Sequence, residues 1–498
     1  MNMESIIHPV YFCQAYSTPE GELVTWKYRP DISYKGVSVR NTSGAELAFV
    51  AYPENKWLAT DKSLTVVTLV SVGVDGNTAG AEIVTIPGVV PMQPEDILPV
   101  RSQIRIEPDE NGAYFTKDGQ KYVVNGFNFI GLSGGGDHST FEPFEYDPYT
   151  TETMLIQMQK KGYNTVRVFI MGGRRTQNPG ISCGPEHNDR HFDKNYMGNV
   201  IHFLRLCRKY NFALIPNFGD NEIPNNRFYQ NLSGGCDRTQ VLFHEGAVEA
   251  KSIMVEEFLT EIRDADPALL HSLFAIQLQN EFHFNEIVPP FSLREGIYRL
   301  YDGTEYDMAK DDDRRVLADH AAMLYFTKLR NTVKSVSPEL LLCEGTFNMC
   351  AVGKTMETAY GLRSGLEDYR VPLSGLEYLQ MPLDFVDIHV YCEDTDDAAG
   401  KFEENFHNML LDTEEAKTLM QKKPVIMGEF SSFKPNRRTG DFAMGEKNII
   451  TLRDKAMENG FAGFLLWTID TFWQPEIWHM MEDGGGFADR LSLLYPGF

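Results

Sequence analysis

Two glutamates end apolar runs that are otherwise suited to burial: Glu281 closes LFAIQLQNE (273–281) and Glu429 lies in PVIMGEF (424–430). A pair of carboxyls facing one another is the equipment for cleaving a glycosidic bond. One protonates the departing oxygen, and the other stabilises or bonds the oxocarbenium-like carbon. A separation of about 5–5.5 Å between them corresponds to double displacement with retention. Either glutamate alone reads equally as a strand end in solvent or as the partner of an arginine. The two together, on different strands, are more specific. Glu344, closing LLLCE (340–344), and Asp220 and Glu222, after FALIPNF (212–218), are competing strand-end acids.

The elements that must position these groups form a repeating series. Short apolar strands are expected at 122–130, 165–170, 212–218, 273–280, 340–344, 385–391, 424–430 and 463–469, so the two glutamates fall on the fourth and seventh. Segments with apolar residues at three- and four-residue spacing lie between them, such as 149–162, 197–210, 248–264, 314–336 and 447–460, and predict amphipathic helices. Strands that are apolar throughout are covered on both faces, which implies a parallel sheet. Eight such units predict an α/β fold, a (β/α)8 TIM barrel over 103–498, whose reactive side chains stand at the C-terminal ends of its strands. The hairpin before the first strand turns at Asp118-Gly119. Residues 1–90, rich in Val, Thr and aromatics between Gly, Asn, Asp and Pro, predict a smaller N-terminal β-sandwich-like domain, and the proline-spaced 91–102 a linker.

Composition restricts the partners. The 498 residues carry 70 acidic and 46 basic side chains, a formal net charge of −24, which repels nucleic acid and anionic membrane surfaces and favours a neutral substrate. No run reaches the length of a spanning helix, and the N-terminus lacks the basic and apolar regions of a signal peptide. A soluble protein is expected, cytoplasmic unless a leader has been removed. The seven cysteines are widely spaced among apolar neighbours and read as free thiols. Cys183, His187 and His191 offer zinc-type ligands without a fourth, so no metal is expected there. The GLSGGGDH turn (131–138) lacks the spacing of a phosphate loop.

The strand ends resemble those of the clan A glycoside hydrolases, particularly family 5, which includes cellulases and β-mannanases. The resemblance covers roughly residues 103–485 and rests on short motifs. Asn280-Glu281 matches the family's strand-four Asn-Glu, which implies Glu281 as general acid/base and Asn280 as a contact to the sugar 2-hydroxyl. PVIMGEF implies Glu429 as nucleophile. DIHVY implies that Tyr391 holds the nucleophile and that His389 contacts substrate or the acid/base. Arg167 in NTVRVF would keep the nucleophile ionised, and Trp467 in FLLWTI would form a platform for the sugar. The family's cellulases have a histidine near the end of strand three, where this chain has 216–220, PNFGD. LIPNFGDNE is closer to the β-mannanase pattern L-x-N-N-W-D, which makes Asn217 a substrate contact, with a turn role as the alternative. Each of these partners also has a plain structural reading: an ion-pair arginine, a core histidine or core aromatics. Trp473 and Trp478, after strand eight, either stack on sugar or anchor their loop.

The implied activity is retaining hydrolysis of β-linked oligo- or polysaccharides, of β-mannoside or β-glucan type, without a cofactor. A transglycosylase with the same residues and a non-catalytic carbohydrate-binding barrel are the alternatives. A Schiff-base lyase or aldolase would need a lysine at a strand end, and there is none.

Overall fold

The computed structural model describes residues 7–109, 112–131, 138, 140–173, 179–236, 238–347, 369–394, 397–435, 440–470, 472 and 474–493. The glycine-rich turn around 132–137, Cys350 and Trp473 lie outside them.

Eight parallel strands close into a barrel in chain order: Val124–Asn128, Thr165–Phe169, Ala213–Asn217, Ala275–Gln277, Leu341–Phe347, Phe385–Glu393, Val425–Phe433 and Gly463–Leu466. The eighth pairs back onto the first, Leu465 opposite Gly126. Period-two alternation decides what faces inward. At the strands' beginnings the inward set is apolar: Val124, Ile215, Leu341, Phe385, Ile426 and Leu465 share one cluster. Further along, the inward positions become Asn128, Arg167, Asn217, Gln277, Asp387 and His389, all buried. The polar site therefore stands on an apolar plug.

That plug is sealed from below. The hairpin Gly112–Lys117 and Gln120–Tyr122 turns through Asp118 and Gly119, both at positive φ, and sends Phe115 into the barrel floor, edge-on to Phe274 and Phe385. Helices Pro148–Lys160, Lys194–Tyr210, Glu245–Ala265, Asp311–Val336 and Phe442–Glu458 cover the outside. Asp147, Asp193 and Asp441 cap three of them by accepting backbone N–H groups, which satisfies donors a helix start leaves open.

Ahead of the barrel lie a three-stranded sheet (Tyr11–Thr18, Gly21–Lys27, Lys56–Ala59) and a four-stranded one (Glu46–Ala51, Tyr34–Arg40, Val66–Gly73, Thr78–Thr85). They enclose their own core around the fully buried Trp26. Among the described residues no helix is long and apolar enough to cross a membrane. The six described cysteines are free thiols.

Candidate active site

Strand two delivers Arg167 to the centre of the barrel, where it is fully buried. Its Nη1 donates to Glu429 Oε1 (2.6 Å) and Asn128 Oδ1 (2.8 Å), its Nη2 to Asn280 Oδ1 (2.6 Å) and its Nε to Gln277 Oε1 (2.6 Å). Asp387 Oδ2 stands 3.8 Å from Nε and accepts from Gln277 Nε2 at 2.7 Å. Four strands thus fix one guanidinium, and the guanidinium fixes Glu429.

The other oxygen of Glu429 accepts from the Tyr391 hydroxyl at 2.8 Å. His389 lies between the two glutamates: its Nδ1 is 3.1 Å from Glu281 Oε1 and 3.4 Å from Glu429 Oε2. Arg370 Nη1 reaches Glu281 Oε2 at 3.1 Å. One ligand atom from each of Glu281, His389 and Glu429 lies within 4.8 Å of the others. These are also donor types that hold a cation, but Arg167 and Arg370 already neutralise the two carboxylates.

The charges explain the titration. Burial disfavours charge on His389, yet Glu429, Asp387 and the bond to Glu281 outweigh it and push its pKa up to about 10. Burial likewise pushes Glu281 upward, but the His389 hydrogen bond and charge, then Arg370 and His283, leave it below the ordinary carboxylate range. Burial raises Glu429, and Glu281 adds to this, while His389, Arg167 and Tyr391 hold it back. Burial and Glu429 drive Tyr391 far up, so it stays a phenol and a donor. Carboxyls this close titrate as a unit. The imidazolium proton on His389 Nδ1 belongs to that unit.

Arg167, Asn280, Glu281, His389, Tyr391 and Glu429 therefore come together. Trp467, immediately after strand eight, is buried in a cluster with Phe169 (edge-on, ring centroids 5.9 Å) against which Tyr391 packs, and its indole Nε1 donates to Gln474 Oε1 at 2.9 Å. Asn217 is placed differently. It is fully buried: its Nδ2 donates to Gln277 Oε1 (2.6 Å), which also accepts from Arg167, and its Oδ1 accepts from the Gly219 amide (2.7 Å) in the turn after strand three, so both of its polar ends are already paired within the protein.

The competing acids stand elsewhere. Leu341 and Cys343 face the barrel interior, which turns Glu344 to the helix side, beside Lys251 of Glu245–Ala265. Buried Glu222 pairs with Arg238 (3.5 Å), and Asp220 is exposed. Cys183, His187 and His191 do not converge: Cys183 Sγ meets the His191 carbonyl, His187 pairs with Glu186, and His191 pairs with Glu257. Trp478 is buried, donates to Asp394 Oδ1 (2.9 Å) and lies under Lys434, which anchors its loop.

Arg370, Gln277, Asn128 and Asp387 were not anticipated. Asp387 had a signal, since it lies two residues before His389 and so on the same face. Arg370 had none. It arrives through a two-stranded sheet that pairs His283–Asn285 with Arg370–Pro372.

No protein-family model and no curated protein matches the sequence. Among solved structures, the chain is similar to an exo-β-1,4-mannosidase from Opitutaceae bacterium strain TAV5 (14% identity, TM-score 0.47, covering 73% of this chain and 55% of that one). It is also similar to a glycoside hydrolase family 5 mannosidase from Rhizomucor miehei (14%, 0.44, 73% and 86%) and an endo-1,4-β-mannanase from Thermotoga petrophila (14%, 0.45, 70% and 89%). This chain spans little more than half the length of the Opitutaceae enzyme. Likeness at this level carries nothing about activity, and the barrel rests on its own strand pairing.

Proposed function

We propose that this chain is a retaining glycoside hydrolase acting on β-linked glycans of mannoside or glucan type. The observation that carries the reading is the Glu281–His389–Glu429 group, with ligand atoms within 4.8 Å of one another and a different arginine on each carboxyl. Such closeness suits a carboxylate that attacks the anomeric carbon directly and leaves no room for an intervening water.

Glu429, held by Arg167 and Tyr391, is the nucleophile. Its oxygen bonds the anomeric carbon as the bond to the leaving oxygen breaks, and Glu281 gives that oxygen a proton. At rest this proton is held on His389 Nδ1, 3.1 Å from Glu281. Esterifying Glu429 removes one of the negative charges that keep His389 protonated. Glu281 then takes a proton from water, the water oxygen bonds the anomeric carbon, and the ester bond to Glu429 breaks. Trp467 offers its face to the sugar. Within the substrate range, the absence of a histidine at the end of strand three favours β-mannosides over cellulose.

A panel of aryl β-mannosides and β-glucosides with β-linked polysaccharides, followed by NMR of the product anomer, tests this. Hydrolysis with retention is expected, and it should be lost in Glu281→Gln and Glu429→Gln. Inversion, or undiminished activity in both variants, would sink the assignment.

A further inference from the structure

A cavity of about 490 Å³ lies where the N-terminal sheets meet the barrel, within the size range of small-molecule sites. Its barrel wall comes from chain that has just left strands one and eight: Phe129 and Gly131 on one side, Asp470 and Phe472 on the other. Asp470 is three residues beyond Trp467. The cavity thus opens at the same end of the barrel as the carboxylate pair, yet none of Arg167, Glu281, His389, Tyr391, Glu429 or Trp467 lines it.

Its chemistry is mixed. Tyr28 and Phe144 supply aromatic surface, and Phe144 is 58% exposed, so its ring is accessible from the cavity side. Polar groups alternate with these rings. Lys27 Nζ (2.5 Å) and the Tyr11 hydroxyl (3.1 Å) both donate to Asp470 Oδ2, and Lys56 Nζ stands 3.4 Å from Asp147 Oδ2. Each ion pair joins the N-terminal sheets to the barrel, so the two walls are held in fixed relation. Two of the three acids on the lining are neutralised in this way, leaving Glu145, and the chain as a whole is strongly acidic. Anionic ligands are disfavoured. Flat apolar surface interleaved with carboxylate, amide and ammonium groups is suited to a neutral polyhydroxylated ring, whose C–H face packs on an aromatic while its hydroxyls are hydrogen-bonded.

We propose that this cavity is a second saccharide site, in which the N-terminal sheets and the barrel mouth together hold neutral sugar units away from the bond being cleaved. The sugar class rests on the glycoside hydrolase reading; the existence of a site does not. It assigns the N-terminal sheets a direct part in binding substrate or product.

The test uses the full chain carrying Glu429→Gln, so that the probe is not consumed, titrated calorimetrically with β-1,4-mannotetraose and with cellotetraose. Two binding events are expected for at least one probe. Adding Phe144→Ala or Asn55→Ala should abolish one event or weaken it at least tenfold. In the chain with Glu429 intact, each substitution should leave hydrolysis of an aryl β-monoglycoside within twofold, which also reports correct folding. No more than one event with each of the two tetraoses, or two events surviving both substitutions, would overturn the proposal. Failure of the glycosidase reading is separately visible: the unsubstituted chain would release no sugar while binding persisted.

Discussion

Arg167 joins the two halves of the site: one guanidinium nitrogen donates to Glu429 at 2.6 Å and the other to Asn280, the residue before Glu281, also at 2.6 Å. Lysine has the charge but not the fork, so it cannot make these contacts together. Arg167→Lys should lower kcat/KM by about two orders of magnitude, the scale of one or two lost charge-assisted hydrogen bonds at about 1.5–3 kcal/mol each. Weaker pairing also raises the Glu429 pKa, so the acid limb of the pH–rate profile should move to higher pH. A profile whose acid limb stays in place would show that Arg167 does not hold the charge on Glu429.

Arg370 acts on the other carboxyl and in the opposite sense for catalysis. Its guanidinium, 3.1 Å from Glu281 Oε2, favours the ionised form of the group that must deliver a proton. Replacing it by glutamine removes that stabilisation, so Glu281 and His389 should keep their shared proton to higher pH. The basic limb of kcat/KM for Arg370→Gln should therefore move upward while the acid limb stays in place. Rate measurements on an aryl β-glycoside across both limbs decide it, and a downward shift of the basic limb would contradict the assignment.

The difference between these arginines shows what the sequence could and could not reveal. Glu281 and Glu429 were legible because each is a polar residue placed in or just after a continuous apolar strand, and strand ends converge in a barrel, whereas Arg167, His389 and Tyr391 were named only through the resemblance of their strand motifs. Arg370 comes from RVP, a three-residue strand with no periodic signature, and meets Glu281 through pairing with a segment some 85 residues earlier. Gln277 and Asn128 looked like ordinary strand residues, since only the register states which side chains face inward. Asn217 shows the same limit: its strand end was readable, but not that its Nδ2 would bind Gln277, itself bonded to Arg167, while its Oδ1 closes the following turn. The β-rich composition of the N-terminal segment was readable, whereas its cavity against strands one and eight depends on packing that no local pattern encodes.

Gly428 immediately precedes Glu429, and a Cβ there would lie 1.9 Å from Asp387 Oδ1 and 2.1 Å from Oδ2. Asp387 is fully buried and committed to Gln277, so it has nowhere to retreat. Gly428→Ala should cost about 1–3 kcal/mol of stability, as overpacking does, and should displace Glu429 enough to reduce kcat. Gly198, in helix Lys194–Tyr210, is the control, because a Cβ there meets nothing within 4 Å. Gly198→Ala should stabilise by about 0.5–1 kcal/mol through helix propensity, with activity unchanged. Thermal melts and initial rates on the two variants separate a crowded strand from a general intolerance of glycine replacement.

Glu482 should make the joint between the N-terminal sheets and the barrel sensitive to acid. Burial pushes its carboxyl upward, but His479 (3.0 Å), Lys434 (3.4 Å) and the charge of Arg29 outweigh burial and bring the pKa down to about 2. Arg29 belongs to the N-terminal part, donates to the Glu482 carbonyl and stacks over Phe472. A carboxyl whose pKa is depressed on folding contributes stability above its unfolded value of 4.5, and this is lost as pH falls toward 2. The contribution at neutral pH is at most about 3 kcal/mol, from the size of the shift. Glu482→Gln should therefore lower stability at pH 7 and flatten its decline between pH 4.5 and 2. Urea unfolding at intervals across that range measures both effects, and an unchanged slope would mean that the ion pairs around Glu482 form equally in the unfolded chain.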